Sequence, residues 1–344
     1  MAEIPTTMLA ASYEPGHINT VLKHKYPIRE LKGDEILLKV AACGVCHSDV
    51  FLLSGGLPEP KPFILGHEIA GTPVLLGSAV DADKVKLGKL YSVLNPSCGT
   101  MGINGGPAFE NALGLGLDGG YAEYVICKEP SLVPVPHGVP VEAAAVAADA
   151  GVTAYNAVKN SAGVKKRTKV LIFGIGGLGH LAVQYAKHLG ATVYVCDFKP
   201  EARALALQLG AQKAFDLLEL TDLTAAGKFT VDTTIDFVAT AQSFNLAIAA
   251  LSGNDVVFPD APRLVMVGVS TENLVFSTVQ SILTGIQIVS SAYGPRSALE
   301  EVLKLFAEGK VHPHIKTLPL KDVTNALIQL RAHEVLGRLV VVPE

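Results

Sequence analysis

Four consecutive apolar residues, Val170-Leu171-Ile172-Phe173, run directly into Gly174-Ile175-Gly176-Gly177-Leu178-Gly179. A short apolar run without polar alternation reads as a strand buried on both faces. Helical spacing follows at His180–Leu189 and stops at Gly190. Glycines at these offsets restrict the chain severely. The first permits a tight turn, the second removes the side chain where a phosphate approaches, and the third lets helix and strand pack closely. Asp197 ends the next apolar run, Thr192–Cys196, roughly 20 residues further on. Its carboxylate accepts hydrogen bonds from ribose hydroxyls and repels a 2′-phosphate. The segment predicts a parallel α/β sheet that binds a dinucleotide, NAD rather than NADP.

The pattern on either side of this segment predicts two domains. From 151 to 292 strands alternate with helices. Thr233–Val238, Arg263–Val269 and Ile286–Ser291 read as further strands, and Glu201–Leu209 and Ser243–Leu251 as helices. Residues 1–150 read as a small, barrel-like β domain with little helical periodicity. Its short apolar runs, Glu35–Ala42, Lys89–Leu94 and Tyr121–Cys127, are separated by Gly, Pro and Asn clusters. The glycine-rich stretch Gly99–Gly120 predicts a surface lobe or loop. Beyond 292 come a helix at Ser297–Glu308, an extended piece at His312–Leu318, a helix at Lys321–Ala332 and a strand at Arg338–Val342. This tail breaks the alternation and is placed to return to the first domain.

Charge and cysteine content exclude several classes of function. The net charge is −4, which gives no general attraction to nucleic acid or anionic membranes. The longest apolar run, Val170–Val183, falls short of the ~18–20 residues needed to span a bilayer. The first residues lack the basic-then-apolar pattern of a secretory signal. Five cysteines, an odd number in a long chain, predict thiols or metal ligands in a reducing compartment, the cytoplasm.

Two segments carry metal-ligand types: Gly44-Val45-Cys46-His47-Ser48-Asp49 and Gly66-His67-Glu68. A thiolate and an imidazole both suit zinc. Taken alone, Cys46 and His67 fit a packed core as readily as a metal site. Asp149 lies inside the alanine-rich run Glu142–Ala150. A buried acid there needs a partner or a metal, unless it caps a helix.

In combination these segments, with Asp149-Ala-Gly-Val-Thr-Ala-Tyr155 and Gly337-Arg338, resemble the zinc-dependent medium-chain alcohol dehydrogenase family over essentially the whole chain. The chain is most similar to microbial secondary-alcohol dehydrogenases and carbonyl reductases, which also use aspartate as third protein ligand. The resemblance implies an α/β protein. Residues 1–150, completed by 293–344, form a GroES-like β-barrel catalytic domain. Residues 151–292 form a Rossmann doubly wound coenzyme domain, with the active site in the cleft between the two. It implies one catalytic zinc per chain held by Cys46, His67 and Asp149. Glu68 approaches the metal from behind and Asp49 orients His67. Ser48 starts a proton relay. His47 and Arg338 meet the coenzyme pyrophosphate, and Arg338 also neutralises the acids near the metal. Thr153 lies beside the nicotinamide, and Val269 also belongs to the coenzyme site, as do Gly174, Gly176, Gly177, Leu178, Gly179 and Asp197. The implied substrate is a secondary alcohol, ketone or aldehyde of medium size, and the implied assembly a homodimer or homotetramer.

The chain departs from its relatives in three places. Phe51 stands where many carry a histidine that ends the proton relay, so alcohol oxidation is expected to be slow near neutral pH. The positions of a four-cysteine structural zinc lobe read Cys98, Met101, Asn104 and Ala112, which predicts no second zinc. Leu57 and Leu94 replace the tryptophans of yeast-type ethanol dehydrogenases and leave room for branched or aromatic substrates. The competing readings are a polyol dehydrogenase, a zinc-free quinone or enone reductase, and a non-catalytic coenzyme-binding protein. Leu57, Leu94 and Phe51 are poor partners for a polyol, and the retained ligand set disfavours the zinc-free enzyme.

Overall fold

The structure, a computed structural model, describes residues 4–56, 61–95, 112–251 and 261–344. The chain divides into two units, one of Met1–Val152 with Pro295–Glu344 and one of Thr153–Gly294.

The second unit is built on a six-stranded sheet, parallel throughout. Its order is Lys213–Phe215, Thr192–Cys196, Lys169–Phe173, Thr233–Asp236, Arg263–Met266, Gln287–Ser290. The two middle strands are buried almost end to end, which explains why their sequences lack alternation. Strand order reverses between Lys169–Phe173 and Thr233–Asp236. In open α/β sheets the strand ends at such a reversal form the ligand crevice. Leu171, Phe173, Phe215, Phe244 and Leu264 share one core. Phe215 and Phe229 meet edge to face at 4.8 Å.

Several boundaries differ from the sequence expectation for local reasons. The strand at Thr233 stops at Asp236, because the Asp236 carboxylate accepts the N–H groups of Val238 and Ala239 and turns the chain. The strand at Arg263 stops at Met266, leaving Val269 beyond it and 67% exposed. Two helices, Leu217–Ala225 and Thr278–Thr284, were not expected. The first mixes threonines and acids into its sequence but starts on Asp216, whose side chain accepts the Glu219 N–H at 2.9 Å.

The first unit carries two sheets among the described residues. One has three strands, ordered Val21–Pro27, Thr7–Tyr13, Phe63–Ile64. The other runs Ile315–Pro319, Arg338–Val342, Glu35–Val45, Glu68–Leu76, Tyr91–Val93, Leu132–Pro134, with Tyr124–Lys128 also paired to Glu35–Val45. The tail does return here: Leu339 pairs with Val45 and Val341 with Cys43.

Helix is more frequent in this unit than expected. His47–Leu53 is too short to show a period, and Val141–Val146 begins a helical run that continues to Ser161. The stretch Gly99–Gly120, expected as a surface lobe or loop, is described only from Ala112 on, where it runs as turns rather than as helix or strand. Ala112, Leu113 and Leu115 are buried, and Gly114 lies so close to Gly66 that a Cβ would overlap its backbone. Residues 99–111 of that stretch lie outside the described residues.

Candidate functional site

The pairing of Glu35–Val45 with Glu68–Leu76 sets the site. It places Gly44 opposite Glu68, so the Cys46 turn and the His67–Glu68 pair leave the sheet side by side. Gly44 is required there, since a Cβ would overlap the Glu68 carboxylate. Past the strand the chain turns into the helix His47–Leu53. The Cys46 N–H donates to Asp49 Oδ2 at 3.0 Å. The Tyr121 hydroxyl donates to the same oxygen at 2.6 Å. The other oxygen, Oδ1, lies 3.3 Å from His67 Nδ1. Two hydrogen bonds thereby lock Asp49 with its other oxygen facing the imidazole, where an outer carboxylate stands in many metal sites.

Asp149 arrives from the opposite side. It sits in a π-turn, Ala147–Gly151, between the α-helical segments Val141–Val146 and Val152–Asn156. Such a wide turn inserts a residue into the helical ladder and re-aims a side chain, and it often marks a functional site. The alanines around Asp149 let this run lie close on the sheet. Ser92 Oγ ties it down by donating to the Ala144 carbonyl at 2.8 Å.

His67 Nε2 lies 3.3 Å, and Cys46 Sγ 3.6 Å, from Asp149 Oδ2. One ligand atom from each of Cys46, His67, Glu68 and Asp149 falls within 4.8 Å of all the others, and all four residues are buried. Arg338, 2% exposed, donates through Nε to Glu68 Oε2 at 3.0 Å and through Nη2 to the other oxygen of that carboxylate. The same Nη2 is 3.5 Å from Asp149 Oδ2.

Burial opposes ionisation of Asp149, but the hydrogen bond and charge of His67, with Arg338, outweigh it and hold the carboxyl well below the ordinary range. Burial likewise opposes a Cys46 thiolate, yet Arg338 and His67 draw its pKa down. Burial opposes the charge of Arg338 too, and Cys46, Glu68 and Asp149 push its pKa further up. Burial, with the charges of Asp149 and Cys46, raises the Glu68 pKa well above the ordinary carboxylate range. Arg338 opposes that rise, and its two-pronged contact with both Glu68 oxygens favours the carboxylate form. Thiolate, imidazole and carboxylate thus converge in a buried pocket of excess negative charge. That donor chemistry fits zinc, and Cys46, His67, Glu68 and Asp149 are the residues that could hold it.

Ser48 is half-buried, with Oγ 3.6 Å from Cys46 Sγ. Phe51 follows on the same helix, and its ring fills the space a Cβ at Gly56 would need. Leu94 is buried in this unit. Leu57 lies outside the described residues, as do Cys98, Met101 and Asn104. Ala112, the fourth lobe position, is buried and carries no donor atom. His47 is exposed, and its ring stacks on His333.

Sequence reasoning missed Tyr121, which holds Asp49, and the contact of His333 with His47. In each case the partner lies far away in the chain, and no local pattern announces such a pairing. The aromatic after Gly119-Gly120 was the sole hint at Tyr121.

In the second unit the glycine turn has the expected form. Gly174 has φ +81°, and a Cβ on Gly179 would overlap the Gly174 carbonyl. Gly176 is different: a Cβ there would meet no protein atom within 4 Å. Packing does not demand that glycine, whereas a phosphate approaching the backbone does. Asp197 Oδ2 accepts the Ile175 N–H at 2.7 Å and Oδ1 accepts the Lys199 N–H at 2.8 Å, so the carboxylate clasps the turn. Gly177 and Leu178 lead into the helix Gly179–His188. Thr153 is buried in this unit.

Residues 32–137 match the family model described as alcohol dehydrogenase GroES-like domain, and residues 177–308 the model described as zinc-binding dehydrogenase. An alcohol dehydrogenase of Geobacillus stearothermophilus is 33% identical over 323 residues, 89% of this chain and 91% of the relative. Among solved structures, the acetophenone reductase of Geotrichum candidum, in complex with NAD, superposes with a TM-score of 0.85. It is 31% identical, with 99% of this chain and 98% of that one covered. The alcohol dehydrogenase of the hyperthermophilic archaeon Aeropyrum pernix gives 0.84 at 29% identity, covering 97% and 100%.

Proposed function

Because the chain belongs to the alcohol dehydrogenase family of zinc-binding dehydrogenases, we propose that it interconverts a medium-sized secondary alcohol and its ketone, or an aldehyde, with NAD(H) as hydride carrier. The observation that carries this is the convergence of Cys46, His67 and Asp149 with Ser48 beside them. Zinc held there supplies Lewis acidity that polarises the substrate oxygen. Asp49 fixes the His67 ring, and Arg338 with Glu68 balances the buried charge. Ser48 Oγ takes the substrate hydroxyl proton. Phe51 has no atom that accepts a proton, so the next transfer goes to the coenzyme ribose, to water or to His47. Phe51 and Leu94 form the apolar side of the substrate site.

The test is metal analysis beside NADH turnover on a panel of ketones and aldehydes. One zinc per chain is expected, with branched or aryl ketones reduced faster than acetaldehyde, since each extra buried methylene contributes about 0.8 kcal/mol. A zinc-free protein, or one inert on the whole panel, would overturn the reading. Two tightly held zincs would overturn the single-site assignment.

For the coenzyme we propose that Asp197 and the turn Gly174–Gly179 hold the adenosine and pyrophosphate, that His47 and Arg338 also meet the pyrophosphate, and that Thr153 lies beside the nicotinamide, with Val269 also in the coenzyme site. NAD(H) should exceed NADP(H) by at least about tenfold in kcat/KM, or about 1.4 kcal/mol. Asp197→Ala should narrow the gap, chiefly by losing activity with NAD, because the carboxylate also clasps the turn. Equal use of both coenzymes by the wild type would disprove the assignment.

A second copy of the chain is the proposed partner of the sheet edge. Gln287–Ser290 is the terminal strand of the parallel sheet. Near it in sequence, Val275, Val279, Ile282 and Leu283 are 63–82% exposed. A terminal strand, unpaired on its outer side among the described residues, and exposed apolar side chains near it in sequence invite association. Ile282→Asp should lower the mass measured by light scattering to that of a smaller assembly, and an unchanged mass would rule this surface out. Among the described residues no helix is long and apolar enough to cross a membrane. Cys43, Cys46, Cys127 and Cys196 are free and buried, which supports a cytoplasmic setting.

A further inference from the structure

The helix Val323–Arg331 ends in a left-handed turn. The His333 N–H donates to the Leu330 carbonyl at 3.1 Å and the Glu334 N–H to the Gln329 carbonyl at 3.0 Å. His333 itself has φ +57°. Glycine or asparagine usually fills this position, because a Cβ there crowds the backbone. The helix packs against His47–Leu53, which sets His333 beside the first residue of that short helix. The His47 and His333 rings stack with centroids 5.8 Å apart and planes 24° from parallel, and both residues are exposed.

An exposed histidine ordinarily samples several rotamers. A ring lying flat on His47 narrows that choice before any ligand arrives, and a group held ready loses less freedom on binding. We propose that His333 is a positioning residue for the coenzyme: stacked on His47, it fixes the ring that donates a hydrogen bond to the diphosphate. This rests on the reading above that His47 meets the coenzyme diphosphate. No proton needs to move, since a neutral imidazole already carries one N–H donor. The strained backbone at His333 is the local cost of keeping a ring at a position where a glycine would relax it.

The test is a double-mutant cycle on the zinc-loaded enzyme. NAD⁺ and ADP-ribose are titrated calorimetrically into the wild type, His333→Asn, His47→Ala and the double variant. Asparagine tolerates the left-handed turn, so the fold is kept while the ring is lost. His333→Gly provides a second variant that relaxes the turn.

His333→Asn and His333→Gly should both weaken NAD⁺ and ADP-ribose by about three- to tenfold, the range an aromatic pair contributes. The KM for NAD⁺ should rise while kcat stays near the wild-type value, and the melting temperature should not fall. In the His47→Ala background, removing the His333 ring should have no further effect. Unchanged affinity in both His333 variants, with His47→Ala impaired, would overturn this inference alone. Additive losses in the double variant would also overturn it, since His333 would then act independently of His47. If His47→Ala binds coenzyme like the wild type, the parent reading of His47 fails and this inference with it.

Discussion

Asp149→Ala should leave the protein folded but unable to hold zinc, and turnover should fall by about 10³-fold or more. Zinc polarisation of a substrate oxygen contributes several kcal/mol to the transition state, so losing the ion forfeits at least that factor. The alanine also removes the carboxylate that His67 Nε2 and Cys46 Sγ both approach, at 3.3 and 3.6 Å. Loss of an outer partner typically lowers metal affinity ~10–100-fold, and loss of a direct ligand should exceed that. Atomic absorption on the dialysed variant, read beside NADH turnover, gives both numbers. Full zinc occupancy in Asp149→Ala would mean that Glu68 serves as the third ligand, and the roles of the two acids would exchange. Cys98→Ser should leave zinc content and rate nearly unchanged.

Arg338→Met should cost about 3–5 kcal/mol of stability, independently of activity. The guanidinium is the one cation placed against the Glu68 carboxylate among the described ion pairs, and both are buried. Removing one partner of such a pair strands the other charge in an apolar setting. For a unit of this size the loss corresponds to a drop in melting temperature of roughly 6–20 °C. The double variant Arg338→Met/Glu68→Leu should recover much of it, since exchanging both charges for apolar groups costs far less than exchanging one. A single variant that melts like the wild type would show that Glu68 is not held ionised by Arg338. A double variant no better than the single would show that the bridge is needed for more than its charge.

The sequence disclosed features written locally and concealed those made by distant partners. The strands Thr192–Cys196 and Arg338–Val342 were bounded correctly because apolar runs there end on sharp polar or glycine signals. The glycine turn was clear because Gly174 and Gly179 each have a steric reason within the protein, and Gly176 leaves space in front of the backbone. The alanine-rich run Glu142–Ala150 shows no apolar period, and nothing in its six alanines betrays the helix or the wide turn that aims Asp149. The helix Leu217–Ala225 was hidden by weak propensity, which its cap and its packing against the neighbouring helix Ala241–Ala250 override. Cys46, His67 and Asp149 were assembled as a set through a family resemblance, since their spacing alone is uninformative. The structure supplies the physical cause, a strand pairing that sets Gly44 opposite Glu68. Tyr121 and His333 needed three-dimensional contacts to be seen at all.

The run that carries Asp149 has a thermodynamic consequence. Ala143, Ala144, Ala145, Ala147, Ala148 and Ala150 are all buried, and none has a rotamer to lose. Ordering a side chain ordinarily costs up to ~2 kcal/mol in entropy, whereas alanine costs essentially nothing. Close packing around the acid is therefore reached through backbone fit alone, and between Ala147 and Gly151 the carboxylate is the only group with torsions of its own. Thermal motion of this turn has few side-chain modes in which to disperse. The stiffness of the Asp149 position is that of the hydrogen-bonded main chain, and heating should soften it only when the helix itself begins to open.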